Sequence, residues 1–224
     1  PGPARTMPSS DVWTTYSGLA TTLEYSDFTY LNGTLREFYR QLLSANFNPL
    51  PGGTADVYYI NIPAGKTLEL NDARIAATLL VELGDNSSLT TDSSCVWDPP
   101  NGKNYPALIV KAAGTATVQF DGANAVLKET VSGGYNFTPP GTPYNGIENT
   151  TTNDTSNHLF RGVFHVIGPS TTINLDGHVT IEGCVITDGL MTIGSNATVT
   201  ADPTLVNNPP FGYAGNGGSQ NVVG

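Results

Sequence analysis

The sequence predicts an all-β fold, a single-stranded parallel β-helix (β-solenoid) with a short N-terminal capping α-helix and two long loop excursions. Three observations carry that expectation. Residues 173–202 read in sixes, as INLDGH, VTIEGC, VITDGL, MTIGSN and ATVTAD. Short runs of alternating apolar and polar residues lead up to them from Tyr58 onward. Charged residues make up only 12% of the chain while Thr, Asn and Gly abound, so most of the polar surface must be uncharged, as in an extracellular β protein.

The hexads keep one register through five units. Their first position is Ile173, Val179, Val185, Met191 and Ala197, and their third is Leu175, Ile181, Thr187, Ile193 and Val199, with only Thr187 breaking the apolar series. Between these pairs fall Asp176-Gly177, Glu182-Gly183, Asp188-Gly189 and Gly194-Ser195, residues that tolerate tight bends. Asp-Gly between alternating runs is also a hairpin signal. A hairpin at Asp176-Gly177 would pair Leu175 with His178 and Asn174 with Val179, and paired residues share a face, so the apolar set would be split between two faces. A coil that bends at each corner keeps every apolar pair inside, and the repeat therefore favours the solenoid.

Upstream, Tyr58, Ile60 and Ile62, then Leu68 and Leu70, then Leu79, Val81 and Leu83 alternate in the same way. Leu108 and Val110, Val118 and Phe120, and Phe164 and Val166 follow. These read as earlier coils of a solenoid domain over residues 54–203, interrupted by excursions at 84–105 and 131–157 that are rich in Pro, Gly, Asn, Ser and Thr. Loops of that length are the natural carriers of a binding function.

Residues 1–53 form an N-terminal extension. Within it, Leu35, Phe38, Tyr39, Leu42 and Leu43 follow helical spacing, Thr34 and Glu37 make a capping-box pattern, and Asn46 with Pro49 supplies a stop, which predicts an amphipathic helix at about 34–45. A helix there would cover the open end of the solenoid or dock a partner chain. Residues 204–224 hold few apolar side chains and are expected to be a flexible tail.

Chemistry is sparse. The formal charge of −10, with only nine Lys and Arg, argues against a nucleic-acid partner. Cys95 and Cys184 sit in no metal-ligand spacing and leave a single bridge and two free thiols as open alternatives. Asp176, Glu182 and Asp188 recur every six residues, but three sides per coil would stack Asp176 on Gly194 rather than on another carboxylate, so no metal site is expected. His158, His165 and His178 fall in no catalytic string; His165 should project outward between Phe164 and Val166, and His178 lies at a corner. Arg161 and Lys111 with Asp121 or Asp154 come nearest to a polysaccharide-cleaving set, yet nothing in their spacing makes them converge. No catalytic residue and no cofactor is assigned. Trp97, Tyr105, Tyr135 and Tyr144, in the two excursions, are the candidate binding residues, able to stack on sugar rings or to anchor the loops to the wall.

The segments ADVYYINIPAGKTLELNDARIAATLLVEL and YPALIV, with hexads ending in TVTADPTLVNNPPFGY, resemble the extracellular β-solenoid regions of bacterial pilin-like or PilX-type surface proteins of planctomycete type. The hexads are similar to those of bactofilins. The resemblance covers roughly residues 54–213, implies envelope attachment through an N-terminal hydrophobic helix, and carries over no catalytic residue. The opening PGPARTM lacks an initiating Met, so an anchor or export signal would lie upstream of residue 1. The expected function is thus a non-enzymatic cell-surface or pilus-associated structural or adhesion protein, extracellular or in the cell envelope. Its partners would be polysaccharide or other envelope proteins, with self-association through the solenoid ends or the N-terminal helix. The alternative is a carbohydrate-active β-helix enzyme of the lyase or glycosidase kind, or a sugar-binding module. Charged side chains gathered in a groove would favour the enzyme, and a flat Thr/Asn surface the scaffold.

Overall fold

The computed structural model describes residues 8, 11–123, 125–131 and 134–213. After helix α1 (Asp11–Ser17), the chain enters β1 (Thr21–Leu23), β2 (Thr29–Tyr30), β3 (Leu35–Tyr39) and β4 (Leu42–Ser44). The next circuit is β5 (Val57–Ile62), β6 (Thr67–Asn71) and β7 (Arg74–Ala76), followed by β8 (Thr78–Leu83), β9 (Ser87–Asp92) and β10 (Val96–Asp98). Then come β11 (Leu108–Ala112) and β12 (Ala116–Phe120), a detour through β13 (Val126–Lys128) and β14 (Thr155–Asn157), and the long β15 (Leu159–Ile167). The chain closes with β16 (Thr171–Leu175), β17 (Thr180–Thr187), β18 (Leu190–Ile193), β19 (Thr198–Thr200) and helix α2 (Pro203–Asn207). No helix among the described residues is long and apolar enough to cross a membrane.

These strands make a curled parallel sheet in which the chain repeatedly returns beside itself. One column runs β1, β5, β8, β11 and β15; a second runs β3, β6, β9, β12, β16 and β18; a third runs β4, β7, β10 and β15. β15 belongs to two columns because it passes through a bend, pairing Val96 with Leu159 on one side and Leu108 with Phe164 on the other. Gly162, at φ +103°, makes that bend, and Gly183 of β17 lies directly on it in register. A Cβ on Gly183 would overlap the Gly162 carbonyl, so this close backbone approach requires glycine.

The hexads stack as three units to a circuit. Ile173 pairs in parallel with Met191, and Ile181 with Val199, each three hexads on, which rules out the hairpin meander. Asp176 meets Gly194, whose amide donates to Leu175 O at 2.7 Å, so the acidic corners do not superpose. The alternating residues upstream all point inward: Leu68, Leu89, Val118 and Ile173 form one continuous ladder of buried side chains. Each such burial contributes about 1.5–3 kcal/mol. In mid-stack Trp97 lies edge-on to Phe120, Phe160 and Phe164, with ring centroids 5.7–6.3 Å apart.

A second apolar layer covers the outside of the first column. Val12 and Tyr16 of α1, with Tyr213, pack on Val57, Leu80, Ile109 and Val163. Strands buried on both faces read as unbroken apolar runs, which explains the Leu-Leu-Val of β8 and the Leu-Ile-Val of β11.

Three expectations need correction. Residues 34–45 are not a helix: they form β3 and β4, joined at Arg40, whose φ is +49°. Phe38 pairs with Leu70 and Leu43 with Ile75 inside the core, while Leu42 turns outward to a separate apolar cluster. The corner resets the period-2 alternation, and two half-patterns in opposite phase imitate helical spacing. Sheet pairing along both strands outweighs the local helical signal. Residues 84–105 are likewise no excursion, since β9 and β10 within them complete an ordinary circuit with short corners at 84–86 and 93–95, and the longer connection is 99–107. The expected flexible tail is ordered in part: Asp202 caps α2 by accepting from Thr204 N at 2.8 Å, Asn104 Nδ2 donates to Asn208 O and Pro209 O, and Tyr213 is buried. Polar bonds and one aromatic anchor hold what apolar content alone would not. Residues 214–224 lie outside the described residues.

Candidate functional site

The excursion between β12 and β15 is where the fold departs from repetition. It rises as the antiparallel pair β13–β14 and then folds down against the third column. The buried Glu129 is its hub: one carboxylate oxygen accepts from Phe137 N at 2.6 Å and the other from Asp154 N at 2.9 Å. Asp154 in turn accepts from Thr138 Oγ1 and Asn149 Nδ2. Arg74, only 2% exposed, reaches out from β7 and donates to the carbonyls of Phe137, Thr142 and Pro143. Leu127, Phe137 and Tyr144 then close over Leu42 and Val96. The loop is thereby fixed to the wall through hydrogen bonds between buried polar groups and through an apolar patch.

On one flank lies a groove of about 820 Å³. Its floor takes residues from successive circuits, Asp72, Ser93 and Ser94, Ala123, His178 and Asn196, while Lys128 and Asn157 of the β13–β14 pair form a wall. Because neighbouring strands are about 4.8 Å apart, a groove crossing successive circuits runs along the stacking axis. His158 supports it from below. Its Nδ1 accepts from Cys95 N at 2.8 Å, so in the neutral ring Nε2 carries the proton, and the ring lies so close to Gly122 that a Cβ there would collide with it. Burial lowers the His158 pKa to about 4, against the backbone bond and Asp121, which raise it.

On the other flank a smaller cleft of about 320 Å³ opens between the wall and the tip of the excursion. Arg161 stands between two carboxylates on adjacent strands, with Nε donating to Glu182 at 3.0 Å and an Nη 3.3 Å from Asp98, and it also bonds Asn145. The Tyr144 ring receives the guanidinium groups of Arg74 and Arg161 at 5.2 and 5.3 Å. Burial pushes the Asp98 carboxyl above its ordinary pKa, against both arginines, and its Oδ2 is buried with no hydrogen-bond partner among the described residues.

The predicted aromatic residues take different places. Trp97 is fully buried in the core and cannot meet a sugar, because it lies on β10 and not in a loop. Tyr105 is edge-on to Tyr16 at 5.3 Å. Tyr135 is half-buried, and its hydroxyl accepts from Leu42 N. Tyr144 alone lines the small cleft, and it is 7% exposed. Three of the four thus anchor the excursion or the outer layer. His165 does point outward from β15, but Tyr213 covers it, with 3.1 Å between Nδ1 and the tyrosine hydroxyl. His178 is exposed at the corner. Arg161 converges with Asp98 and Glu182 rather than Asp121 or Asp154, while Lys111 lies over the Trp13 ring. That trio was hidden because the Asp98 and Arg161 strands become neighbours only after the whole excursion is looped out. Both cysteines are free thiols. The chain matches no protein-family model, no curated protein and no solved structure.

Proposed function

We propose that the curled sheet is a single-stranded β-solenoid serving as a non-enzymatic cell-surface scaffold, which adheres to an extended, largely uncharged polysaccharide. The observation that carries this reading is the groove along the stacking axis: it crosses successive circuits, and Ser, Thr, Asn and His side chains dominate its polar lining. A linear, hydroxyl-rich polymer suits that shape and chemistry, since each circuit offers it hydrogen-bonding side chains at a regular step. The excursion contributes one wall, and its anchoring by Glu129 and Arg74 lowers the ordering cost of binding. Envelope localisation follows from the resemblance to pilin-like surface proteins.

The test is a glycan array probed with the full chain, followed by size analysis of any bound glycan after incubation. Binding without shortening is expected, weakened when Ser93, His178 and Asn196 are together replaced by alanine. Absence of any bound glycan refutes the adhesion reading, and a shortened glycan refutes the non-enzymatic one.

A second reading, a carbohydrate-active enzyme, is favoured by the small cleft. Its lining includes Asp98, a largely buried carboxyl with a raised pKa, which Arg161 links to the exposed Glu182 of the adjacent strand, and two carboxyls in such unlike surroundings can divide acid and base roles. In that case Asp98→Asn abolishes glycan shortening while leaving glycan binding in the axial groove intact.

A further inference from the structure

The cleft beside the tip of the excursion holds hydrogen-bonding groups that the protein itself does not match. Arg74 and Ala76 of β7 alternate outward, and Asp98 of β10 stands in register with Ala76, so a small side chain leaves the space beside the carboxyl unfilled. Two atoms lining this cleft are buried with no hydrogen-bond partner among the described residues, the donor Arg74 Nε and the acceptor Asp98 Oδ2. Buried polar atoms of folded proteins are nearly all satisfied, so an unmatched donor and acceptor in one cleft mark a place for a group that both accepts and donates. A hydroxyl does both.

The mouth of the cleft repeats that demand. Asn101 is exposed and its amide makes no hydrogen bond among the described residues, while exposed Asn46 uses Nδ2 on Gly141 O and leaves Oδ1 uncommitted. Planar amides present a donor and an acceptor side by side, which suits neighbouring hydroxyls on a ring, and Pro99 and Pro143 offer apolar contact to its carbon face. The charges balance, Arg74 and Arg161 against Asp98 and Glu182, so an entering ion finds no excess of opposite charge to offset its lost hydration. At about 320 Å³ the cleft stands near the lower limit of small-molecule sites, roughly 300 Å³, which gives room for one ring and not for a chain.

We propose that this cleft is a second binding site, which takes a free neutral monosaccharide. One ligand hydroxyl accepts from Arg74 Nε and donates to Asp98 Oδ2, and others meet Asn46 and Asn101. Neither buried atom is open to solvent, so the tip, an exposed turn at Asn145-Gly146 closed by the Tyr144–Ile147 bridge, shifts to admit the sugar and closes over it. A ligand enclosed in that way has no path for a continuing polymer. The inference rests neither on the axial groove nor on glycan cleavage.

Saturation-transfer NMR on the full chain tests it, with glucose, galactose, mannose and xylose as neutral probes and glucuronate and glucosamine as charged ones. A neutral sugar is expected to receive saturation and the charged probes to receive less. Asn46→Ala/Asn101→Ala removes the two exposed amides and should weaken binding about tenfold or more with an unchanged circular-dichroism spectrum. The alanine variant of Ser93, His178 and Asn196 in the axial groove should bind the same sugar as the parent does, so this site and the glycan-adhesion reading fail separately. Binding of no neutral sugar, preference for a charged probe, or binding that the groove variant loses and the cleft variant keeps overturns the proposal. Should the double variant misfold, Asp98→Asn, which keeps the side chain's volume and removes one of its acceptors, carries the same expectation.

Discussion

Acidification should unfold this protein through two histidines. His158 and His165 are both buried, and burial lowers each pKa from 6.5 to about 4, against Asp121 and the Cys95 bond for the first and Asp188 for the second. Each ring is held neutral in the folded state, while in the unfolded chain it takes up a proton at its ordinary pKa. Their contribution is therefore fully present above pH 6.5 and is lost as the pH falls toward about 4. A shift of this size corresponds to about 3 kcal/mol per histidine, or about 6 kcal/mol together, against an ordinary domain stability of about 5–15 kcal/mol. Within the window the unfolded chain binds up to two more protons, so stability should fall by about 2–3 kcal/mol per pH unit. The carboxyls of Asp98 and Glu69, whose pKa values burial raises, work in the opposite direction and shallow the slope. Urea titrations followed by fluorescence, from pH 7.5 down to pH 4, measure the slope directly. A His158→Gln/His165→Phe variant removes both sites and should lose most of it, whatever its stability at neutral pH. An unchanged slope in that variant would refute the assignment of proton uptake to these rings.

Further substitutions separate the core, the bend and the excursion. Gly183→Ala forces a Cβ into the Gly162 carbonyl and should cost about 1–3 kcal/mol in a thermal melt, whereas Gly33→Ala, with open space around it, should change little. Trp97→Ala removes the ring that Phe120, Phe160 and Phe164 surround and should cost about 3–5 kcal/mol by chemical denaturation; a loss below 1 kcal/mol would mean that the aromatic stack is not a packed centre. Arg74→Met leaves three excursion carbonyls without their donor, and a cost of about 3 kcal/mol is expected to appear as lost amide protection in residues 134–154 with the stacked strands unaffected. Cys95, buried and with its thiol pushed up to about 12, should resist alkylation until the chain is unfolded.

Much of the repeating architecture was legible in the chain because its signal is local. The spacing of Ile173, Leu175, Val179 and Ile181 is itself the inward pattern, and the small residues between them can only be corners, so parallel stacking of the hexads follows from side-chain geometry over a few dozen residues. The same holds for Tyr58 through Val166, whose alternation survives unequal coil lengths. Residues 34–45 misled for the converse reason: a corner at Arg40 reverses the phase within one short stretch, and only pairing with β6 and β7 shows which apolar residues face inward. Trp97 reads as a loop residue because the residues around it in sequence are polar, although in the fold it meets Phe120, Phe160 and Phe164.

What the sequence alone determined is the repeat, its inward face and its corners, since these depend on residues a few positions apart. What tertiary structure decided is everything that depends on how far the chain travels before it returns. Asp98, Arg161 and Glu182 meet only because the excursion is looped out between them. The groove exists only because that excursion stands beside the stacked corners. Spacing along a chain fixes which way a side chain points within its strand, but the neighbour it meets is chosen by the register of strands far apart in sequence.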